Sequence, residues 1–147
     1  MIIVGYQGIG KSTMAKHVNN CIDLESSNFF VDNKRDENWY KVYVNIAKHL
    51  SDQHNLVFMS SHKIVREYLN EQNIDFTVIC PALELKEEWL KKLKDRYVET
   101  GKDKDYRAWK NAEVGYDEQI KDLMQERNVI LLNGTKYNLE DYYHQSK

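Results

Sequence analysis

Gly5-Tyr6-Gln7-Gly8-Ile9-Gly10-Lys11-Ser12 is the stretch of this chain with the most definite chemistry. Two glycines five positions apart, followed at once by a lysine and a hydroxyl residue, suit the holding of a chain of phosphates. Glycine lets the backbone wind tightly, so that the N–H groups of Gly8, Ile9 and Gly10 approach phosphate oxygens. Thr13-Met14-Ala15-Lys16-His17-Val18 reads as a helix opening behind the turn. Its free N–H groups and positive dipole end add to anion binding. Met1-Ile2-Ile3-Val4 in front reads as a strand. In this setting Lys11 bridges the β- and γ-phosphates of a nucleoside triphosphate. The Ser12 hydroxyl ligates Mg²⁺, and Thr13 reaches the α-phosphate.

A group of acids comes next. Cys21-Ile22-Asp23-Leu24 reads as a second strand and Glu25-Ser26-Ser27-Asn28 as the loop after it. Strand alternation puts Asp23 and Glu25 on one side. A carboxylate there can take a proton from a phosphoryl acceptor, bond to it, or hold water on Mg²⁺. A turn cap beside a solvated Glu25 is the plainer alternative.

The elements that must position these groups follow from periodicity. Trp39, Val42, Tyr43, Ile46 and Leu50 recur at helical spacing, after a polar, turn-like stretch from Asn33 to Asn38. Asn55 to Ser61 is a buried strand, and Ile64, Val65, Tyr68 and Leu69 mark the helix behind it. Ile74 to Cys80 is a strand ended by Pro81. Leu85, Trp89, Leu93 and Tyr97 give one amphipathic helix, and Trp109, Ala112, Tyr116, Ile120 and Leu123 another. Val129 to Leu132 is the last strand, and Asn138 caps a short terminal helix through Leu139, Tyr142 and Tyr143. Strands alternating with helices predict a doubly wound α/β domain: five parallel strands with helices on both faces. Ligands in such sheets bind at the carboxyl ends of the strands. That selects the glycine turn, Asp23 to Ser27, Ser60 to His62 and the Pro81 region.

The glycine turn resembles that of P-loop NTPases. With acids just past the second strand, the chain is similar to small P-loop kinases of gluconate, shikimate, polynucleotide ends and nucleoside monophosphates. It resembles more loosely the adenylate-kinase-like proteins encoded by bacteriophages. The order of elements matches over most of the chain, and the phosphate loop is the one specific motif. The third strand departs from the pattern: it ends Met59-Ser60-Ser61-His62, without the acid that many P-loop proteins place at the Mg²⁺ site. Asp23 stands in as the candidate. His62 and Arg66 are candidate phosphate partners, with a capping histidine and a surface arginine as the alternatives.

The resemblance also implies a lid. Residues 84–110 hold nine of the 21 lysines and arginines and seven acids. Arg96 lies near the end of one helix and Arg107 near the start of the next, with the polar turn Thr100 to Asp105 between. The stretch looks like a compact lid over residues 97–108, closing Arg96 and Arg107 on the transferring phosphoryl group while its lysines stay solvated. Without cysteine pairs it holds no zinc. Asn28 to Leu50 takes the place of the acceptor-binding segment. There Phe29, Phe30, Trp39 and Tyr40 stack on a base or pack in the core, and Lys34 and Arg35 meet the acceptor phosphate.

The expectation is one P-loop kinase domain over residues 1–147, using ATP and Mg²⁺ to phosphorylate a nucleoside or deoxynucleoside monophosphate. The catalytic set is Lys11, Asp23, Arg96 and Arg107. Gly5, Gly8, Ile9, Gly10, Lys11, Ser12 and Thr13 hold the nucleotide, with Ser12 also on the metal, and Glu25, Arg35 and Arg66 hold the acceptor. A kinase of a hydroxyl acceptor, such as a sugar acid or a nucleic-acid 5′ end, is the close rival. A non-catalytic ATP-binding regulatory module is a different class. A guanine-reading N-K-x-D motif is absent, since Asn133-Gly134-Thr135-Lys136 does not match. The net charge of −2 gives no general attraction to nucleic acid or anionic membrane. No apolar run approaches 18 residues. A strand beginning at Met1 leaves no room for a targeting peptide, and Cys21 and Cys80 read as buried reduced thiols, so the expected location is the cytoplasm.

Overall fold

The computed structural model describes residues 1–31 and 34–145. Strand β1 (Ile2–Gly5) leads through the glycine turn into α1 (Lys11–His17), then β2 (Cys21–Leu24). A 3₁₀ turn at Ser26–Phe29 precedes β3 (Phe30–Val31) and β4 (Lys34–Arg35), which pair antiparallel. Next come α2 (Trp39–Asp52), β5 (Leu56–Ser60), α3 (Lys63–Glu71) and β6 (Thr77–Pro81). The chain ends with α4 (Lys86–Thr100), α5 (Asp103–Leu123), β7 (Val129–Leu132) and α6 (Leu139–Gln145).

Five strands form one parallel sheet in the order β2-β5-β1-β6-β7. Their sequences are nearly continuous apolar runs because helices cover both faces. Ile2 to Val4, Leu56 to Met59 and Val78 to Cys80 are all buried. Helices α2 and α3 pack together, α2 against β5 and β1, while α5 packs on β6 with α4 along it. The connection out of β1 crosses to one side, to β2, and the later strands β6 and β7 fill the other. The order therefore reverses at β1, and a crevice opens at its carboxyl end. The phosphate loop lies there.

The doubly wound expectation holds: five parallel strands flanked by helices. The terminal helix is capped as expected, the Asn138 Oδ1 accepting from the Glu140 N–H at 3.0 Å. Both cysteines are buried and free. Among the described residues no helix is long and apolar enough to cross a membrane. The paired strands β3 and β4 were not foreseen, being two residues each. Asn33 lies outside the described residues, as do the side chains of Phe30 and Tyr143. The polar turn expected over Thr100 to Asp105 is corrected: only Gly101 and Lys102 lie outside helices. Gly101 ends α4 in the left-handed region at φ 64°, its N–H donating to the Tyr97 carbonyl at 2.7 Å.

Candidate functional site

The phosphate loop turns through Gly8 and Gly10, whose φ values of 89° and 102° lie in the left-handed region. A side chain there would be strained. At Gly8 a Cβ would also stand 2.9 Å from Leu93 of α4. The Lys11 ammonium folds back to donate to the Gly5 carbonyl at 3.1 Å. Burial lowers its pKa first, and Asp23 and Glu25 oppose that, while Arg96 and Lys104 lower it further. These five charged groups therefore share one small volume.

They come from four elements: α1, β2 and the residue after it, α4 and α5. Asp23 sits inside β2, paired in register with Phe58 of β5. Burial raises its pKa above the ordinary carboxylate value; Lys11 pulls it down, and Glu25 adds to the rise. Glu25, one residue past β2, ends below its ordinary value: burial pushes up, but Lys104 and the Ser27 hydroxyl outweigh it. Lys104, in the first turn of α5, reaches across to Glu25 at 3.3 Å. Arg96 comes from the last turns of α4, its Nε 3.2 Å from the Asp105 carboxylate. Asp105 is 5 % exposed and accepts from the Thr100 hydroxyl. The α4–α5 tip is thus tied to the end of β2 across the phosphate loop.

A pocket of about 140 Å³ lies between them, lined by Gly8, Gly10, Lys11, Ser12, Asp23, Glu25, Ser60, Arg96 and Lys104. On the other side of the loop opens a cleft of about 1430 Å³. Gly8, Ile9, Gly10, Ser12, Thr13, Lys92, Arg96, Thr135 and Tyr137 line it. Gly8, Gly10, Ser12, Glu25, Arg96, Lys104 and Asp105 face both spaces. The wide cleft is large enough to admit a nucleotide, and the narrow pocket beside it is far smaller.

Beyond the narrow pocket is an aromatic and basic wall. The buried Ser26 Oγ is 3.1 Å from His62 Nε2 and accepts from Arg35 at 3.3 Å. The Arg35 guanidinium lies 4.2 Å over the Trp39 ring. Trp39 packs against Phe29, Tyr40, Tyr43 and the His62 ring, so it serves the core as well as the wall. His62 is exposed as a residue, while its ring lies against Trp39 and its Nε2 meets Ser26. Burial, then the cations Arg35, Lys11 and Arg66, hold it below the ordinary imidazole value. The Tyr43 hydroxyl donates to the Leu24 carbonyl and accepts from the Ser60 N–H, joining the ends of β2 and β5.

The structure therefore brings together Lys11, Ser12, Asp23, Glu25 and Arg96, with Thr13 in the wide cleft. Arg35 stands in the wall behind. Arg107 is not in the lining: it is exposed, 2.8 Å from Asp103 one turn earlier, and near enough to Arg35 to lower its pKa. Arg66 corrects its expectation. It is 6 % exposed and donates to the Ser61 carbonyl, Asp122 and Glu126 at 3.1, 2.6 and 3.4 Å. Those two acids, on and just past α5, turn it away from the phosphate loop into a tie between α3 and α5.

Sequence reasoning missed Lys104, Asp105, Trp89 and Tyr137. Lys104 is exposed, as the alternating Lys and Asp imply, and what they do not show is its contact with Glu25. Asp105, Trp109, Ala112 and Tyr116 are spaced four, three and four apart, a helical repeat that would have started α5 earlier. Nothing local marks Trp89 and Tyr137 as partners of a loop some 80 and 130 residues away.

The residues fit a hard divalent cation: a hydroxyl and two carboxylates, from Ser12, Asp23 and Glu25, line one pocket as oxygen donors. Among the described residues no group of three His, Cys, Asp or Glu side chains is placed to hold a metal ion.

Sheet order, glycine turn and the opposed lysine and acids define a P-loop kinase-like fold. Among solved structures, the chain is similar to a tunicamycin resistance protein of Deinococcus radiodurans, with a TM-score of 0.55 and 12 % identity. The match covers 98 % of this chain and 91 % of that one. No family model and no curated protein sequence matches the chain.

Proposed function

We propose that this protein is an ATP-dependent phosphotransferase whose acceptor is a nucleoside or deoxynucleoside monophosphate. One observation carries the reading: Lys11, Asp23, Glu25, Arg96 and Lys104 meet around the narrow pocket at the phosphate loop. Phosphoryl transfer asks the protein mainly for position and for positive charge where negative charge is shared. Lys11 and the loop N–H groups hold the β- and γ-phosphates, with the nucleoside in the wide cleft. Ser12 and Asp23 would hold Mg²⁺, which neutralises phosphate charge when bound. Arg96 and Lys104 cover the transferring group from the hairpin. Arg35, with Arg107 near it, offers the acceptor phosphate a cationic wall beside Trp39.

A second reading rests on Asp23. Its carboxylate lines the narrow pocket, where it can take the proton of an attacking hydroxyl. A phosphate acceptor needs no such base, so this position favours a hydroxyl acceptor. Incubation with ATP, Mg²⁺ and a panel of nucleoside monophosphates, a sugar acid and a 5′-hydroxyl oligonucleotide separates the readings. Nucleoside diphosphate as product supports the first, and a phosphorylated hydroxyl the second. ATP binding without transfer to any acceptor would assign the chain to regulatory nucleotide binding. Lys11→Ala should abolish turnover in a folded protein, and unchanged turnover would overturn both.

A further inference from the structure

Two carbonyls of the phosphate loop are held from outside the loop. The Trp89 indole Nε1 of α4 donates to the Gln7 carbonyl at 2.8 Å. The Tyr137 hydroxyl, from the segment after β7, donates to the Ile9 carbonyl at 2.7 Å. The two rings stack with centroids 6.4 Å apart and planes 12° apart. The Lys92 ammonium lies 4.4 and 5.1 Å from those centroids and donates to the Tyr137 hydroxyl at 3.2 Å. The Lys92 ammonium donates to the Tyr137 hydroxyl and that hydroxyl to the Ile9 carbonyl, one polarised hydrogen-bond chain ending on the carbonyl.

The consequence follows from peptide planarity. In a trans peptide the carbonyl and the next N–H point in opposite directions. Fixing the Gln7 carbonyl toward Trp89 turns the Gly8 N–H away from it. Fixing the Ile9 carbonyl toward Tyr137 does the same to the Gly10 N–H. Gly8 and Gly10 line the narrow pocket. Two left-handed glycines leave the loop little intrinsic preference for this arrangement. The clamp supplies it.

We propose that Trp89 and Tyr137 are positioning residues that hold the phosphate loop in its anion-accepting form. The clamp serves the triphosphate chain of the nucleotide, and this inference rests on the reading of the loop as a triphosphate site. Trp89 is 0 % exposed, so it does not touch a ligand itself. It also stands on the helix that bears Arg96, so that loop shape and hairpin position are linked.

The test is titration of Mg²⁺ with a non-hydrolysable ATP analogue, and separately with inorganic tripolyphosphate, into wild type, Tyr137→Phe and Trp89→Phe. Tyr137→Phe keeps the ring and removes one hydrogen bond. It should weaken both ligands about three- to tenfold, by equal factors, the worth of one such bond. Trp89→Phe should act in the same direction; where it fails to fold, Tyr137→Phe alone carries the test. Equal affinities in a wild type that binds triphosphate would overturn the clamp and leave the proposed function standing. So would a lower melting temperature of the free protein with affinity unchanged. Loss for the ATP analogue but not for tripolyphosphate would mean that Tyr137 touches the nucleoside, and would also overturn it. A wild type that binds neither ligand sinks the clamp and the proposed function together.

Discussion

Asp105→Ala tests how the hairpin tip is held over the phosphate loop. Asp105 is 5 % exposed, accepts from the Thr100 hydroxyl, and pairs with Arg96, whose side chain is 39 % exposed. The bond to a charged acceptor contributes about 1.5 kcal/mol. The pair with a partly exposed arginine adds at most about 1 kcal/mol, because solvent screens it. A carboxylate in the first turn of α5 adds about 0.5 kcal/mol through the helix dipole. Desolvation of the acid offsets part of that, leaving about 2–3 kcal/mol lost in Asp105→Ala. For a domain of this size that corresponds to a melting temperature about 5–10 °C lower. Asp105→Asn keeps the acceptor for Thr100 and loses the charge, so it should fall about half as far. Freed from Asp105, Arg96 should lose its aim, and kcat should fall more than KM rises. Scanning calorimetry and steady-state kinetics on both variants read these effects. An alanine variant that melts within about 1 °C of wild type would refute Asp105 as the anchor. Unchanged kcat in a destabilised variant would show that the anchor has no bearing on Arg96.

Where the acceptor is a hydroxyl, Asp23→Asn should lower turnover about 10²-fold or more, the scale of a lost general base, with ATP binding retained. The same change should stabilise the free protein near neutral pH. Burial raises the pKa of Asp23 above its unfolded value. Between those two values the folded chain holds more protons than the unfolded one, so the Asp23 contribution falls as pH rises through that window. Urea melts at pH 4 and pH 7 should show the variant gaining more at pH 7, and a gain that does not depend on pH would contradict this. Arg66→Ala should cost about 3 kcal/mol, since it strands Glu126, with a side chain 14 % exposed, while KM for either substrate stays unchanged. A raised KM with stability intact would restore Arg66 to the acceptor site. Hydrogen exchange over residues 97–108 should slow most when an ATP analogue and the acceptor are both bound, as the Lys104–Glu25 contact tightens. Equal protection with and without ligands would make the hairpin a static cover.

The phosphate loop was legible because it is local: eight consecutive residues carry glycine freedom, the lysine and the hydroxyl, and the flanking apolar runs supply strand and helix. The five-stranded sheet was legible for a related reason. Strands covered on both faces must be continuous apolar runs, and Leu56 to Met59 and Val129 to Leu132 show this without any partner in view. That Asp23 lies beside the loop was legible only through the rule that ligands gather at strand ends.

Tertiary structure decided the rest, because a charge's role depends on which opposite charge lies across the fold. Arg66 and Arg96 look alike in the sequence, each an arginine on an amphipathic helix. Asp122 and Glu126 take one into the interior, while Asp105 holds the other at the loop. Lys104 was one of several lysines in a charged stretch until α5 began at Asp103 and brought it to Glu25, 79 positions away. Trp89 reads as a core residue of α4, and it is one. That its indole N–H meets the Gln7 carbonyl depends on α4 lying against the loop, a placement fixed by packing among distant elements and written in no local pattern.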